Sequence, residues 1–422
     1  MKSKSQFKSN YRNRFVVLLL VAISLFQLGY FVFVRSGYHD FATFLIAKDL
    51  IADGQNPYEG NIFRNGFSLI YPLWIYAQFF GTFLGPGLWN LLNIAGLATF
   101  LHLLKPNMSW FTRGLILVIL LFTSPARSMF ANVQHTGIII GLLSILYFLV
   151  SKPQSLKIDL LSAGLLFLAF ELKPQTAIPM FFFLFFYRTR FRILAFWFAA
   201  TAFVHLVMSL YFQKPLDVRW LNSLASISEN SIVISAGDNS FWGIASYLFG
   251  FSSIWSALSY FVYATVLVVI SSFRYLRVGA RGQLITVLIA PLFLSYVHPY
   301  DFIVIALCVV LYIAEGVESP ILKICLTLLL VPTVTASRNF PMYLIASLLI
   351  YAGFVVGLRI YGASRQSLKS ETWPILGVVG YSMIFYIIGS EQLRVGILYA
   401  ALLFLFIGWV LKDFRNRIFT SL

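Results

Sequence analysis

Apolar runs of roughly 15 to 22 residues recur from one end of this chain to the other, and that recurrence leaves very few folds open. Wound as an α-helix, about 20 apolar residues match the hydrocarbon thickness of a bilayer. Unbroken runs also exclude a β-barrel, whose strands alternate apolar and polar residues. Of the 422 residues, 59% are hydrophobic and 11% charged, with a mean hydropathy of +0.84. Too little polar surface remains to cover a water-soluble domain. The expected fold class is an all-α polytopic membrane protein, one integral-membrane domain over residues 1–422.

The net charge of +16 does not gather into one patch. Basic residues sit in short clusters between apolar runs, the pattern of cytoplasmic loops, so no nucleic-acid partner is expected. Lys2, Lys4, Lys8, Arg12 and Arg14 precede the run from Phe15 to Val34. That run is longer than a signal-peptide core and no Ala-x-Ala site follows it, so it reads as an uncleaved first helix with a cytoplasmic N-terminus. Cys308 and Cys325 both lie in apolar stretches and do not read as a disulfide framework or a metal site.

Orientation turns on the segment from Ser68 to Gly85. If it spans, the arginines at 188, 190 and 192 face outward. If it lies at the interface, Leu88 to Leu104 is the second span and those arginines are cytoplasmic. The second choice places roughly 22 of the 31 basic residues inside, as the loop-charge rule demands. Pro72 and Gly85-Pro-Gly suit a short interfacial helix. The first outer loop then covers 35–87 and the second 213–253, with both termini cytoplasmic. Further spans are expected near 113–130, 136–150, 158–171, 174–187, 193–212, 254–273, 283–297, 301–314, 320–336, 340–358, 373–388 and 393–411, for 12 to 14 helices in all.

Polar residues then collect at the outward helix ends: Asp40, Arg64, Arg127, Asn132, Gln134, His135, Lys173, Asn239, His298, Asp301 and Arg338. Mid-helix positions read as nearly free of ionisable groups, His102 and His205 excepted. An ion-coupled transporter keeps charge near the bilayer midplane. A carboxylate, basic groups and amides at one membrane face instead suit chemistry on a phosphorylated headgroup.

Several of these residues stand in short motifs. In order they are Asp40-Phe41, Gly54-Gln-Asn-Pro57-Tyr58, Tyr71-Pro72, Asn132-Val-Gln134, Leu172-Lys173-Pro174, Asp238-Asn239-Ser240 and His298-Pro-Tyr300-Asp301. Their order over about 300 residues resembles the polyprenyl-phosphate-sugar-dependent glycosyltransferases of family 87, within the membrane-embedded GT-C class. Two departures, Tyr71-Pro72-Leu73 for Tyr-Pro-Pro and Asn132-Val-Gln134-His135 for Gly-Gln-x-Asn, bear on the acceptor more than on the fold. The resemblance implies a GT-C-type helical bundle with interfacial helices in the first outer loop. It implies a polyprenyl-phosphate-sugar donor, a glycolipid or glycan acceptor, and an active site on the extracytoplasmic face of the cytoplasmic membrane. It implies no metal or other cofactor. It matches Asp40 to the family's catalytic base and makes inverting transfer of a hexose, mannose first, the expected reaction.

The residues fit that chemistry. The leaving group is a phosphate, so one carboxylate suffices to take the acceptor's proton, unlike the carboxylate pair of glycoside hydrolysis. Asp40 would serve; the alternative is a solvated loop acid or a cap of the helix from Phe41. The departing phosphate needs fixed positive charge. Lys173, His298, Arg127, Arg338 and Arg64 are the candidates, against plain headgroup snorkelling. Asn132, Gln134, His135 and Asn239 are candidate sugar or acceptor contacts, with Asn132 alternatively a cap of the helix at Thr136. Asp301 either orients His298 or caps the next span, and Asp49 and Asp53 read as solvated. Rival readings are a same-architecture enzyme moving a pentose, glucose or amino sugar, a lipid-linked-sugar transporter, and an assembly subunit.

Overall fold

The computed structural model describes residues 29, 39–53, 55, 67–211, 241–273, 278–294, 297–315, 317, 319–330 and 391–419. Among these the secondary structure is helical, with no strand. Helix α1 is His39–Ala52, and a 3-10 turn at Phe67–Leu69 leads into α2, Ile70–Leu104. Then come α3 (Trp110–Phe122), α4 (Ser124–Ala131), α5 (Thr136–Val150), α6 (Leu156–Leu172) and α7 (Pro174–Phe182), which ends in a π turn at Phe183–Tyr187. Next are α8 (Phe191–Tyr211), α9 (Phe241–Phe249), α10 (Ser252–Ser271) and α11 (Ala280–Ile289). Two 3-10 turns, Ala290–Phe293 and Pro299–Phe302, precede α12 (Ile303–Ala314), followed by α13 (Pro320–Leu330) and α14 (Glu391–Phe419).

Among the described residues, three helical stretches are long and apolar enough to cross a bilayer: Leu84–Leu104, Phe191–Tyr211 and Ser253–Ser271. The chain is thus an all-α protein with the character of a membrane protein. Helix α12 is buried along its whole length from Ile303 to Ile313, so it forms the centre of the bundle. On α8 and α10 large apolar side chains stand exposed, among them Phe198, Phe203, Leu210, Phe261 and Val268. An apolar exterior around a closed core is what a hydrocarbon solvent requires.

Two expected elements take a different form. The span expected over 113–130 is broken, its halves α3 and α4 meeting at 76°. Thr123 is extended (φ −73°, ψ 147°) and its hydroxyl donates to the Leu120 carbonyl, ending α3. Pro125 then opens α4, where a missing N–H costs nothing. The segment from Ser68 breaks at Gly81, whose φ of +64° only glycine adopts freely, and not at Gly85-Pro86-Gly87. Residues 70–80 form an arm of about 16 Å, too short to span. Its Tyr76 hydroxyl donates to the Gly85 carbonyl at 2.8 Å, clasping the break. Helices stand at the other described positions, most within a few residues of the expected boundaries, the last running on to Phe419. The first expected helix (15–34, of which only residue 29 is described), the end of 320–336, and 340–358 and 373–388 lie outside the described residues.

Helices α2 and α5 pack backbone to backbone through Gly96, Gly137 and Gly141. Just above, Asn93 donates to the Gln134 carbonyl and accepts from the Ile138 N–H at 3.1 Å. Asn90 donates to the Phe130 carbonyl at 3.1 Å. These buried amides fix the turn between α4 and α5.

At the opposite end of α5, Arg190 donates to the carbonyls of Val150 and Lys152, satisfying that helix terminus. Nearby helix ends carry Arg113, bonded to the Lys105 and Pro106 carbonyls, and Glu315, paired with both Arg281 and Lys105. The basic clusters therefore gather where α2, α5 and α12 finish, and the candidate site lies where α5, α7 and α12 begin.

Candidate functional site

Lys173 owes its position to Pro174. A residue before proline is held out of the helical region, and Lys173 is extended at φ −160°, ψ 91°. Pro174 then starts α7 at the position where its lost donor is harmless. The junction is tied down on both sides, by the Lys173 N–H to Ala169 O at 3.0 Å and by the Thr176 hydroxyl to Lys173 O at 2.7 Å. Tyr263 of α10 adds a hydrogen bond to the Gln175 carbonyl. The lysine side chain is thereby directed out of the α6–α7 corner into the protein.

The second corner repeats this logic. His298 is extended (φ −93°, ψ 159°) before Pro299, which opens the 3-10 turn leading into α12. Asp301 accepts from the His298 backbone N–H at 3.1 Å through one oxygen and pairs with the Lys173 ammonium through the other. Of the two expected roles of Asp301, capping is therefore the one found, with an ion pair added. The His298 ring stacks on Tyr300 at 4.9 Å, and the Lys173 ammonium lies 5.1 Å from the centre of that Tyr300 ring. Cation, carboxylate, imidazole and aromatic face are thus assembled from two corners.

A third helix start completes the group. Val133 takes a left-handed φ of +52°, which turns the chain between α4 and α5. His135 then caps α5 and is buried. Burial chiefly, and the Lys173 charge next, push the His135 pKa down to about 3. Asp301 and a hydrogen bond to the Leu172 backbone oppose the shift without reversing it. At neutral pH His135 is therefore an uncharged imidazole.

The caps of α5, α7 and the turn into α12 are thus His135, Lys173 and His298. Helix starts ordinarily carry Ser, Thr, Asp or Asn. Here Asn93 accepts the Ile138 N–H in the first turn of α5, and His298 and Asp301 cap the turn into α12 reciprocally, whereas Lys173 makes no side-chain cap on α7. The Lys173 ammonium adds to the positive end of the α7 dipole, a position that favours an anion.

The remaining expected residues divide. Gln134 is buried in the same turn as His135. Asn132 caps α4 behind it, donating to the Ser128 carbonyl at 3.0 Å, and does not cap the helix at Thr136. Arg127 lies on α4, which packs against the 299–302 turn, and donates to the Leu330 carbonyl at 3.3 Å. Asp40 falls in the first turn of α1, where a carboxylate is favoured by the helix dipole. Its side chain lies outside the described residues, as do Arg64, Arg338 and Asn239. Asp49 is exposed beside Lys48, and Asp53 is exposed, as expected of solvated acids.

One group was missed. Glu171 is fully buried, two residues before Lys173. Its carboxylate accepts from the Ser68 hydroxyl and lies 2.7 Å from His205 Nε2 on α8. The available signal was an acid at the end of an apolar run, Phe170-Glu171-Leu172, since ionisable residues inside such runs are seldom decorative.

Comparison of the chain with protein-family models, with curated proteins and with solved structures finds no match.

Proposed function

We propose that this protein transfers a sugar from a polyprenyl-phosphate donor to a glycolipid or glycan acceptor, at the membrane face where α5, α7 and α12 begin. The observation that carries the reading is the meeting of Lys173, Asp301, His135 and His298 at three helix starts. Phosphate is the anion such a group suits: an ammonium at a helix start stabilises charge that grows as the glycosidic bond breaks. Asp301 holds the lysine in place without filling its remaining two N–H positions.

Asp40 is the general base. It takes the proton of the acceptor hydroxyl as that oxygen bonds to C1 of the sugar, while the C1–O bond to phosphate breaks and its electron pair leaves with the phosphate. Attack from the face opposite the leaving group inverts the anomeric centre. The resemblance to family 87 supports a GT-C-type bundle, a hexose, mannose first, and an extracytoplasmic site. Arg127, Arg64 and Arg338 are further candidates for the phosphate. Gln134, Asn132 and Asn239 are candidates for the sugar or acceptor.

The test is transfer from radiolabelled polyprenyl-phosphate sugars by purified protein. Asp40→Asn abolishes transfer while leaving donor-lipid binding intact. Full activity in that variant would sink the assignment. A second reading, transport of a lipid-linked sugar, draws on the buried Glu171–His205 pair, since transporters keep ionisable pairs among their helices. It predicts movement of the lipid between leaflets of a reconstituted vesicle with no glycosidic bond formed.

A further inference from the structure

Glu171 has no part in the chemistry above, yet it is the most deeply buried carboxylate near the candidate site. Burying a carboxylate costs several kcal/mol unless its oxygens are satisfied, and here both are occupied. One accepts from Ser68 and the other faces His205. The three residues come from separate pieces of chain. Ser68 belongs to the 3-10 turn that leads into α2, Glu171 to the last turn of α6, and His205 to α8.

The position of Ser68 gives this contact its consequence. The 3-10 turn runs straight into the short arm of α2, and that arm packs on α1. Ala47 and Ile51 of α1 and Ile70, Leu73 and Ala77 of α2 are buried there, and Lys48 of α1 lies 4.8 Å from the centre of the Trp74 ring. Helix α1 carries Asp40 in its first turn. On the other side, Glu171 stands two residues before Lys173, whose backbone is locked by Pro174. A continuous packed path therefore joins the helix bearing the base to the corner bearing the ammonium, and the Ser68–Glu171 hydrogen bond is the polar link in it.

We propose that Glu171 is a positioning residue: through Ser68 it holds the first outer loop, and with it α1, at a set distance from Lys173. His205 keeps the carboxylate aimed at Ser68 by occupying its second oxygen. The proposal rests on the transferase reading for its kinetic consequence, but not for its structural one. Misplacing a reacting group by about 1 Å costs on the order of 100-fold in rate. Releasing the loop therefore lowers kcat by that order and leaves the donor KM unchanged, since Lys173 and its partners remain in place.

The experiment pairs kinetics with a distance. Spin labels are placed at Asp49→Cys on α1 and Phe249→Cys on α9, both exposed sites, with Cys308 and Cys325 buried and unlabelled. In full-length protein, Ser68→Ala and Glu171→Ala broaden the distance distribution and lower kcat. Glu171→Gln keeps an acceptor for Ser68 and recovers most of both. Unchanged distances in Ser68→Ala and Glu171→Ala overturn the positioning role, whatever kcat does. Broadened distances with no transfer by the parent protein sustain the loop tie and overturn the transferase reading instead. A purely structural Glu171 reduces the yield of folded protein, leaving kcat per folded molecule and the distances unmoved, and that result also overturns the proposal.

Discussion

Lys173 and Asp301 stand 128 residues apart and meet as an ion pair whose side chains are each only 10% exposed. Such a pair is held by geometry rather than by net attraction, because removing two charges from water offsets most of what they gain from each other. Breaking it by one substitution strands the partner. Lys173→Met and Asp301→Asn should each cost about 3–5 kcal/mol. The double variant Lys173→Met/Asp301→Leu should recover much of that loss, because no charge is left buried. Thermal unfolding in detergent closes this cycle, and additive single losses would contradict the pairing. Affinity for a polyprenyl phosphate should fall in Lys173→Met and stay low in the double variant, separating the lysine's service to the fold from its service to the ligand.

The corners of the site were legible in the chain, and the contact between them was not. Lys173-Pro174 and His298-Pro299 announce extended residues heading helices because proline constrains its predecessor, and Thr136 and Pro174 begin helices where expected. Nothing local records which corner faces which, so the Lys173–Asp301 pair appeared only with the packing of α12. The bend at Thr123 had a local signal that the expected span ran through: the apolar run ends at Phe122, and Thr123-Ser124-Pro125 follows, with the Thr123 hydroxyl ending one helix and Pro125 opening the next. Glu171 was hidden by its neighbours: beside Lys173 it reads as the end of a helix, whereas its carboxylate turns inward to Ser68 and His205.

His135 carries a pH prediction whose sign follows from its burial. In the folded protein its pKa lies at about 3, against 6.5 for an unperturbed histidine. Between those values the unfolded chain binds a proton that the folded chain does not, so stability falls as pH falls. The loss amounts to about 1.4 kcal/mol per pH unit below about 6.5, ending near pH 3. His135→Gln removes the group, so its melting temperature should gain on that of the parent protein from pH 7.5 to 4.5. Parallel melting curves over that range would show that the imidazole is solvated.

The seam between α2 and α5 sets the site's foundation, because α5 begins at His135 and α2 supplies Asn93 to the turn before it. Gly137 and Gly141, four residues apart, share one face of α5 and meet Gly96 of α2. A Cβ at position 96 would lie 2.1 Å from the Gly137 carbonyl oxygen, and one at 141 would lie 2.6 Å from the Gly96 Cα. The obstructing atoms are backbone, so they yield only if the helices part. Gly96→Ala should therefore cost at least the 1–3 kcal/mol typical of overpacking, with lower folded yield and weaker lipid-phosphate binding as His135 shifts. Gly114, exposed on α3, supplies the control, since a Cβ there meets nothing within 4 Å. Gly114→Ala should gain about 0.5–1 kcal/mol from helix propensity alone. Equal melting temperatures for Gly96→Ala and Gly114→Ala would mean that the two backbones do not touch, and that something other than this seam aligns the start of α5 with Lys173.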